Sequence, residues 1–309
     1  MYYPILKGKQ FELNALRELV GHIPSSNVCP ILEPVNLNLA PLGTTISELT
    51  TSGISPWVVI NPSQSEFASG ATSNIFSSLR TNLATIGTGQ GSFVPCIKIR
   101  DASDAPAIAL LKSFTIPFVA YVEGIVTPAL VVDLMRASAV ALNPDKTDFS
   151  VWGTLPRAVL FHDGFDKKTR NLDYGTESFY SNLHNGYRAF PNAIGFGDFT
   201  ILSERLVEGG GPAFVVTLHM SYLDPSRSTQ MYVRHFSSYS DNDSQSDPGG
   251  KFREALDLLI SHISTNPGNF VNTAGLQEFI TLHATRHYPG LGVVKKISIK
   301  HHIQTLSSW

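Results

Sequence analysis

Cysteine is scarce in this chain. Only Cys29 and Cys96 occur in 309 residues. Neither belongs to a CxxC pair or a zinc-ligand cluster, which excludes zinc ribbons, thioredoxin chemistry and a disulfide scaffold. Charge is scarce too: Asp, Glu, Lys and Arg make up 16% of the chain and nearly cancel, leaving −2. No global field then draws the protein to nucleic acid or to a membrane surface, and direct nucleic-acid binding is not expected. No apolar run approaches the roughly 18 residues that a membrane helix needs. The opening MYYPILKGKQ shows no basic segment followed by an apolar one, so the expectation is a cytoplasmic protein without membrane association. In a reducing compartment both cysteines read as buried apolar fillers. HExxH, GxSxG and Walker loops are also missing, as are internal repeats and heptads.

What is present is core-forming material. Hydrophobic residues make up 42% of the chain, enough for two ordinary domains or one large barrel and incompatible with global disorder. Short β-rich runs alternate with helical stretches. Strands are expected at 28–33, 57–61, 93–100, 118–123, 157–163, 193–198, 213–220 and 231–236. Helices are expected at 10–22, weakly at 44–51, around Ile75 to Leu79, and at 106–114, 128–138 and 176–190. Residues 251–263 form a clear amphipathic helix, with Phe252, Leu256, Leu259 and Ile260 on one face. Strand–helix alternation implies a parallel sheet with right-handed crossovers. Eight strands over about 230 residues is the count of a (β/α)8 TIM-like barrel. An open doubly wound sheet would carry a glycine-rich turn where Glu33-Pro34 stands. The barrel is expected over 1–265, irregular between strands six and seven at Ser203–Pro212, with a helical extension over 266–309. Residues 237–250 read as a solvated, mobile loop.

In such a barrel chemistry gathers at the carboxyl ends of the strands. Alternation puts Cys96, Lys98 and Arg100 on the inner face and ends the first strand in Glu33. The other candidates for the mouth are Asn61, Glu123, His162, Asp163, Asp198, His219, Arg234 and His235. Arg170, just after the fifth strand, would cover it. Two arrangements are open. In one, the acids pair with Lys98, Arg100 and Arg234 in a closed polar core. Alternatively Glu33, Glu123, Asp163 and Asp198 hold a divalent metal while the cations and His219 receive a phosphate-bearing small molecule. Gly209–Gly211 is a weak candidate anion loop. Lys295, Lys296, Lys300, His301 and His302 read as a small basic tail on a solvated helix face.

The segment Tyr3-Pro-Ile-Leu-Lys-Gly-Lys-Gln-Phe-Glu-Leu-Asn-Ala-Leu-Arg-Glu-Leu19 resembles the opening signature of the Beta-protein family, especially its bacterial branch. The resemblance continues at Pro30–Val35, Val58–Pro62, His162–Phe165, Arg170–Tyr174, Gly195–Thr200 and Gly209–Ala213. These blocks run through most of the chain; the opening one is specific, and the part after residue 266 matches least. The family takes its name from the phage-satellite gop–beta operon, in which Gop is toxic and Beta is held to counteract it. The resemblance therefore implies an antitoxin-like or partner subunit of a bacterial phage-defence module, binding a toxic, nuclease-like protein encoded nearby. It brings no catalytic residue with it. The alternative from the residues alone is a metal-assisted phosphodiester or nucleotide hydrolase.

Overall fold

The computed structural model describes the chain except for residues 69–73, 86–91, 156, 207–210 and 212. The candidate anion loop at Gly209 and Gly210 therefore lies outside the described residues. The chain divides into two compact units. One comprises Met1–His162 with Leu183–Asp198, the other Asp163–Asn182 with Phe199–Trp309.

The first unit is a closed barrel of eight parallel strands surrounded by helices, a (β/α)8 TIM-like fold. Its strands are β1 (Tyr2–Leu6), β2 (Ile31–Leu32), β3 (Trp57–Val59), β4 (Val94–Ile99), β5 (Val119–Val122), β6 (Val140–Leu142), β7 (Ala158–His162) and, after β8 (Glu177–Ser181) of the other unit, β9 (Ala193–Asp198). Parallel pairing of β1 with β9, Tyr3 opposite Gly197, closes the ring. Between the strands run α1 (Gln10–Leu19), α2 (Ala40–Thr51), α3 (Ile75–Thr85), α4 (Ala105–Ser113), α5 (Pro128–Leu134), the short α6 (Phe149–Trp152) and α7 (Leu183–Gly186). Local signals set the helix starts. The Asp104 side chain accepts from Ala107 N and the Thr127 hydroxyl from Leu130 N, each with proline in the following turn. The strands are short and almost wholly buried, as a sheet covered on both faces requires.

Eight parallel strands are as the sequence indicates, but their identity shifts. β1 and β6 replace the expected seventh and eighth strands. The irregular crossover lies between β7 and β9, not at Ser203–Pro212. The barrel closes at Asp198, so the expected boundary at 265 is too late.

The second unit is a three-stranded antiparallel sheet backed by helices. Its order is β10 (Thr217–Asp224), β11 (Gln230–Ser237), then β8. The helices are α8 (Pro248–Thr265), α9 (Ala274–Thr285) and α10 (Leu291–Ser307). β10 and β11 form a hairpin turned through Ser228 and Thr229, both with positive φ. The expected helix at 176–190 is instead β8 followed by α7. Leu218, Met220, Tyr222 and Phe236 pack with Phe252, Phe279 and Ile297 in one apolar core.

Two further expectations are corrected here. α10 is buried on nearly all sides, and of the five basic residues named on it only Lys295 is exposed. Glu278 of α9 takes Lys300 at 2.7 Å and Lys296 at 3.5 Å. His301 Nε2 lies 2.8 Å from the Ser221 carbonyl and His302 Nδ1 2.7 Å from the Ser221 hydroxyl, so α10 meets one backbone carbonyl and one side chain of the edge strand β10. Residues 237–250 are held rather than free. Lys251 is buried and donates to the carbonyls of Phe214, Asp241 and Ser244, and the Glu254 carboxylate accepts from Tyr239 N and Ser240 N.

Candidate functional site: a closed charge network in the barrel

The inner face of the barrel is set by strand parity. Gly195 and Gly197 lack the Cβ that would otherwise meet the Tyr3 ring and the Tyr3 carbonyl, so Tyr3 turns inward and packs on Trp57, ring centroids 5.0 Å apart. Towards the carboxyl ends the lining becomes ionic. Lys7 follows β1, Glu33 follows β2, Lys98 sits near the end of β4 and Glu123 follows β5. Glu33 accepts Lys7 Nζ at 2.8 Å on one oxygen and Lys98 Nζ at 2.7 Å on the other. Lys98 Nζ also meets Glu123 Oε1 at 2.6 Å and lies 5.6 Å from the Tyr121 ring centroid. Lys7, Glu33 and Lys98 are buried.

Two cations and two anions cancel here. Burial opposes ionisation of Glu33, but the ammonium groups of Lys98 and Lys7 outweigh it and hold the carboxyl below its usual range. Burial likewise opposes the charge on Lys98, and Glu33 and Glu123 outweigh it, pushing the ammonium above its usual range. Both shifts move away from neutrality. A general acid or base works best with a pKa near the operating pH, so neither residue is tuned for proton transfer or for an amine nucleophile. Burial pushes the Cys29 thiol up to about 12 and the Cys96 thiol higher still, so neither is a thiolate near neutral pH.

Asn61 supports the network without joining it. Its side-chain amide donates to Lys98 O and accepts from Lys98 N, both at 2.8 Å, and so fixes the backbone from which Lys98 projects. Glu12, in the first turn of α1, accepts from Lys7 N.

The remaining candidates go elsewhere. Arg100 lies just past β4 and forms a bidentate pair with Asp104, the cap of α4. Asp198 shares a face with Phe196 rather than with the inward Gly195 and Gly197, and accepts from the Tyr2 hydroxyl at 2.7 Å. His162 Nδ1 lies 3.3 Å from Asp145. In the second unit, Asp163 Oδ2 accepts from Ser203 Oγ and Glu204 N, while its Oδ1 is buried without a hydrogen bond among the described residues. Arg170 is exposed and pairs with Asp173. Arg234 approaches Glu177 at 3.6 Å. His219 and His235 do meet, Nδ1 to Nδ1 at 2.9 Å. Among the described residues no group of three His, Cys, Asp or Glu side chains is placed to hold a metal ion. The expected set of Glu33, Glu123, Asp163 and Asp198 is not such a group: the first two share the Lys98 ammonium and Asp198 faces Tyr2.

Lys7 is the residue that sequence reasoning missed. It follows β1, the strand masked by Pro4, and the alternation of Tyr3, Ile5 and Lys7 was the available signal.

Comparison with family models, with curated proteins and with solved structures finds no match. Among the described residues no helix is long and apolar enough to cross a membrane.

Proposed function

We propose that this protein is a binding subunit rather than a hydrolase: the antitoxin-like member of a bacterial phage-defence module, acting in the cytoplasm and restraining a toxic, nuclease-like partner encoded nearby. The resemblance of the opening block and of the motifs through Ala213 supplies the direction. The observation that carries the choice is the Lys98 ammonium seated between Glu33 and Glu123, at 2.7 and 2.6 Å. A cation of the protein's own occupies the place that a metal would need in the hydrolase reading. Its carboxylate partners are consumed by that contact, and burial keeps water from replacing it.

The test is co-expression with the neighbouring gene. The partner should be toxic alone, tolerated beside this chain, and should co-elute with it on size exclusion. Separate elution together with unrelieved toxicity would overturn the proposal. Titration with Mg2+ or Mn2+ that showed tight binding, abolished by Glu33→Gln, would favour the hydrolase instead.

A further inference from the structure

A cavity of about 280 Å³ opens within the second unit. Phe165 and Tyr174 line it, and both rings pack on His219 at centroid distances of 5.0 and 4.7 Å. Ile201, Leu202, Leu291 and Val294 add apolar wall. Three cations also line it: Lys167 and Lys168 from the segment after β7, and Lys295 from α10. Asp166 pairs with Lys168 at 2.6 Å. Lys295 is the exposed exception on an otherwise buried helix.

His219 adds a polar group to the same wall. Its Nδ1 is engaged by His235 Nδ1, whose ring in turn reaches the Ser178 hydroxyl through Nε2 at 3.0 Å. The Nε2 of His219 makes no hydrogen bond among the described residues. With the His235 Nδ1–H donating, His219 Nε2 carries the proton and is a donor on the cavity wall; the reverse tautomer satisfies the same contacts and makes it an acceptor. Burial, His235 and Lys295 hold the His219 pKa well below its ordinary value, so the ring is neutral near pH 7.

An aromatic surface, ammonium groups and a neutral ring nitrogen on the walls of one cavity suit one kind of ligand. We propose that this cavity binds a small phosphate-bearing molecule with a planar body, the body resting on Phe165 and Tyr174 and the phosphate met by Lys168, Lys295 and the His219 Nε2–H. Ammonium groups recognise phosphate as point charges, and a pocket with an apolar lining and few polar groups is the usual form of a small-molecule site. The cavity shares no residue with the barrel network, so its occupancy can be tested without reference to the partner protein.

Calorimetric titration of the intact protein with AMP, inorganic phosphate and adenosine distinguishes the contributions. AMP should bind, and bind more tightly than either fragment. Lys295→Gln and Lys168→Gln should each weaken AMP about tenfold, the equivalent of one charge-assisted contact. Lys112→Gln, an exposed lysine on α4, should leave AMP binding unchanged. The proposal is overturned if neither AMP nor phosphate binds at millimolar concentration, if adenosine binds as well as AMP, or if Lys295→Gln and Lys168→Gln bind AMP as wild type does. Both lysines are at least partly exposed, so retained melting behaviour of the variants separates lost binding from lost fold.

Discussion

Replacing Glu33 by Gln removes one charge from the centre of the barrel network and leaves two buried ammonium groups around a neutral amide. Lys98 keeps Glu123, but the carboxylate shared with Lys7 is gone. Breaking a buried pair by deleting one partner costs about 3–5 kcal/mol, because the remaining charge loses its compensation. For a unit of this size that corresponds to a fall in melting temperature of roughly 6–20 °C. Acid distinguishes this cause from a packing defect. The folded-state pKa of Glu33 is held below its unfolded value, so its contribution is complete above about pH 4.3, the ordinary value for Glu, and is lost as pH falls through the lower folded-state value. The Gln variant has lost it at every pH. Urea melts of both proteins between pH 7 and pH 3 should therefore show a gap that is wide at neutrality and narrows in acid. Other carboxylates titrate in both proteins and cancel. Adding Lys7→Met to the Gln variant should restore part of the stability, since it removes the surplus cation. A variant within about 1 kcal/mol of wild type at pH 7, where even a single buried hydrogen bond is worth that much, or a gap that stays constant in acid, would refute the reasoning.

Gly197→Ala would place a methyl group on the Tyr3 carbonyl of the neighbouring strand, and should destabilise the barrel by about 1–3 kcal/mol or more. Gly153→Ala, with open space around it, should stay within about 0.5 kcal/mol; equal effects in denaturant melts would show that the closure at β9 is looser than described. Burial pushes His301 down to about 4 despite the favourable contact with the Ser221 carbonyl, with His302 adding to the depression. The unfolded chain takes up a proton near the ordinary value of about 6.5 and the folded one does not, so stability falls as pH drops from there towards 4. The total is on the order of 3 kcal/mol for this residue. The slope of stability against pH across that window should be smaller in His301→Gln, and identical slopes would exclude His301 as its source.

The parts of the barrel legible in the sequence are those whose strands are long and alternate cleanly. β4 runs for six residues, and its parity correctly turns Lys98 inward. The same parity extended one step too far puts Arg100 inside, although Asp104, the N-cap before Ala105-Pro106, already offered it a partner. β1 was hidden because Pro4 argues against a strand within a sheet, and β6 because three residues carry no period. The hairpin of β10 and β11 passed as two barrel strands, yet the ten residues between Met220 and Met231 are too few for a parallel crossover, which needs a dozen or more. The burial of α10 could not be foreseen locally. Its lysines and histidines mark solvent in an isolated helix, and the partners that overrule this, Glu278 and Ser221, are distant in sequence. Glu33, Lys98 and Glu123 were legible as a cluster because each stands at or near the end of its strand. Their mutual neutralisation depended on distances that no pattern supplies.

The excursion at residues 163–182 bears on how the molecule can be made and dissected. As the nascent chain leaves the ribosome, β8 emerges before β9, so the ring cannot close until a strand belonging to the other unit has already been synthesised. That strand then waits, without its ladder partner, until β11 is available at Gln230. Simple truncation after Asp198 would therefore retain an orphan strand prone to adventitious pairing. A minimal barrel calls instead for a linker joining His162 to Leu183, and the excised unit for an internal deletion that joins residues 163–182 to the segment beginning at Phe199.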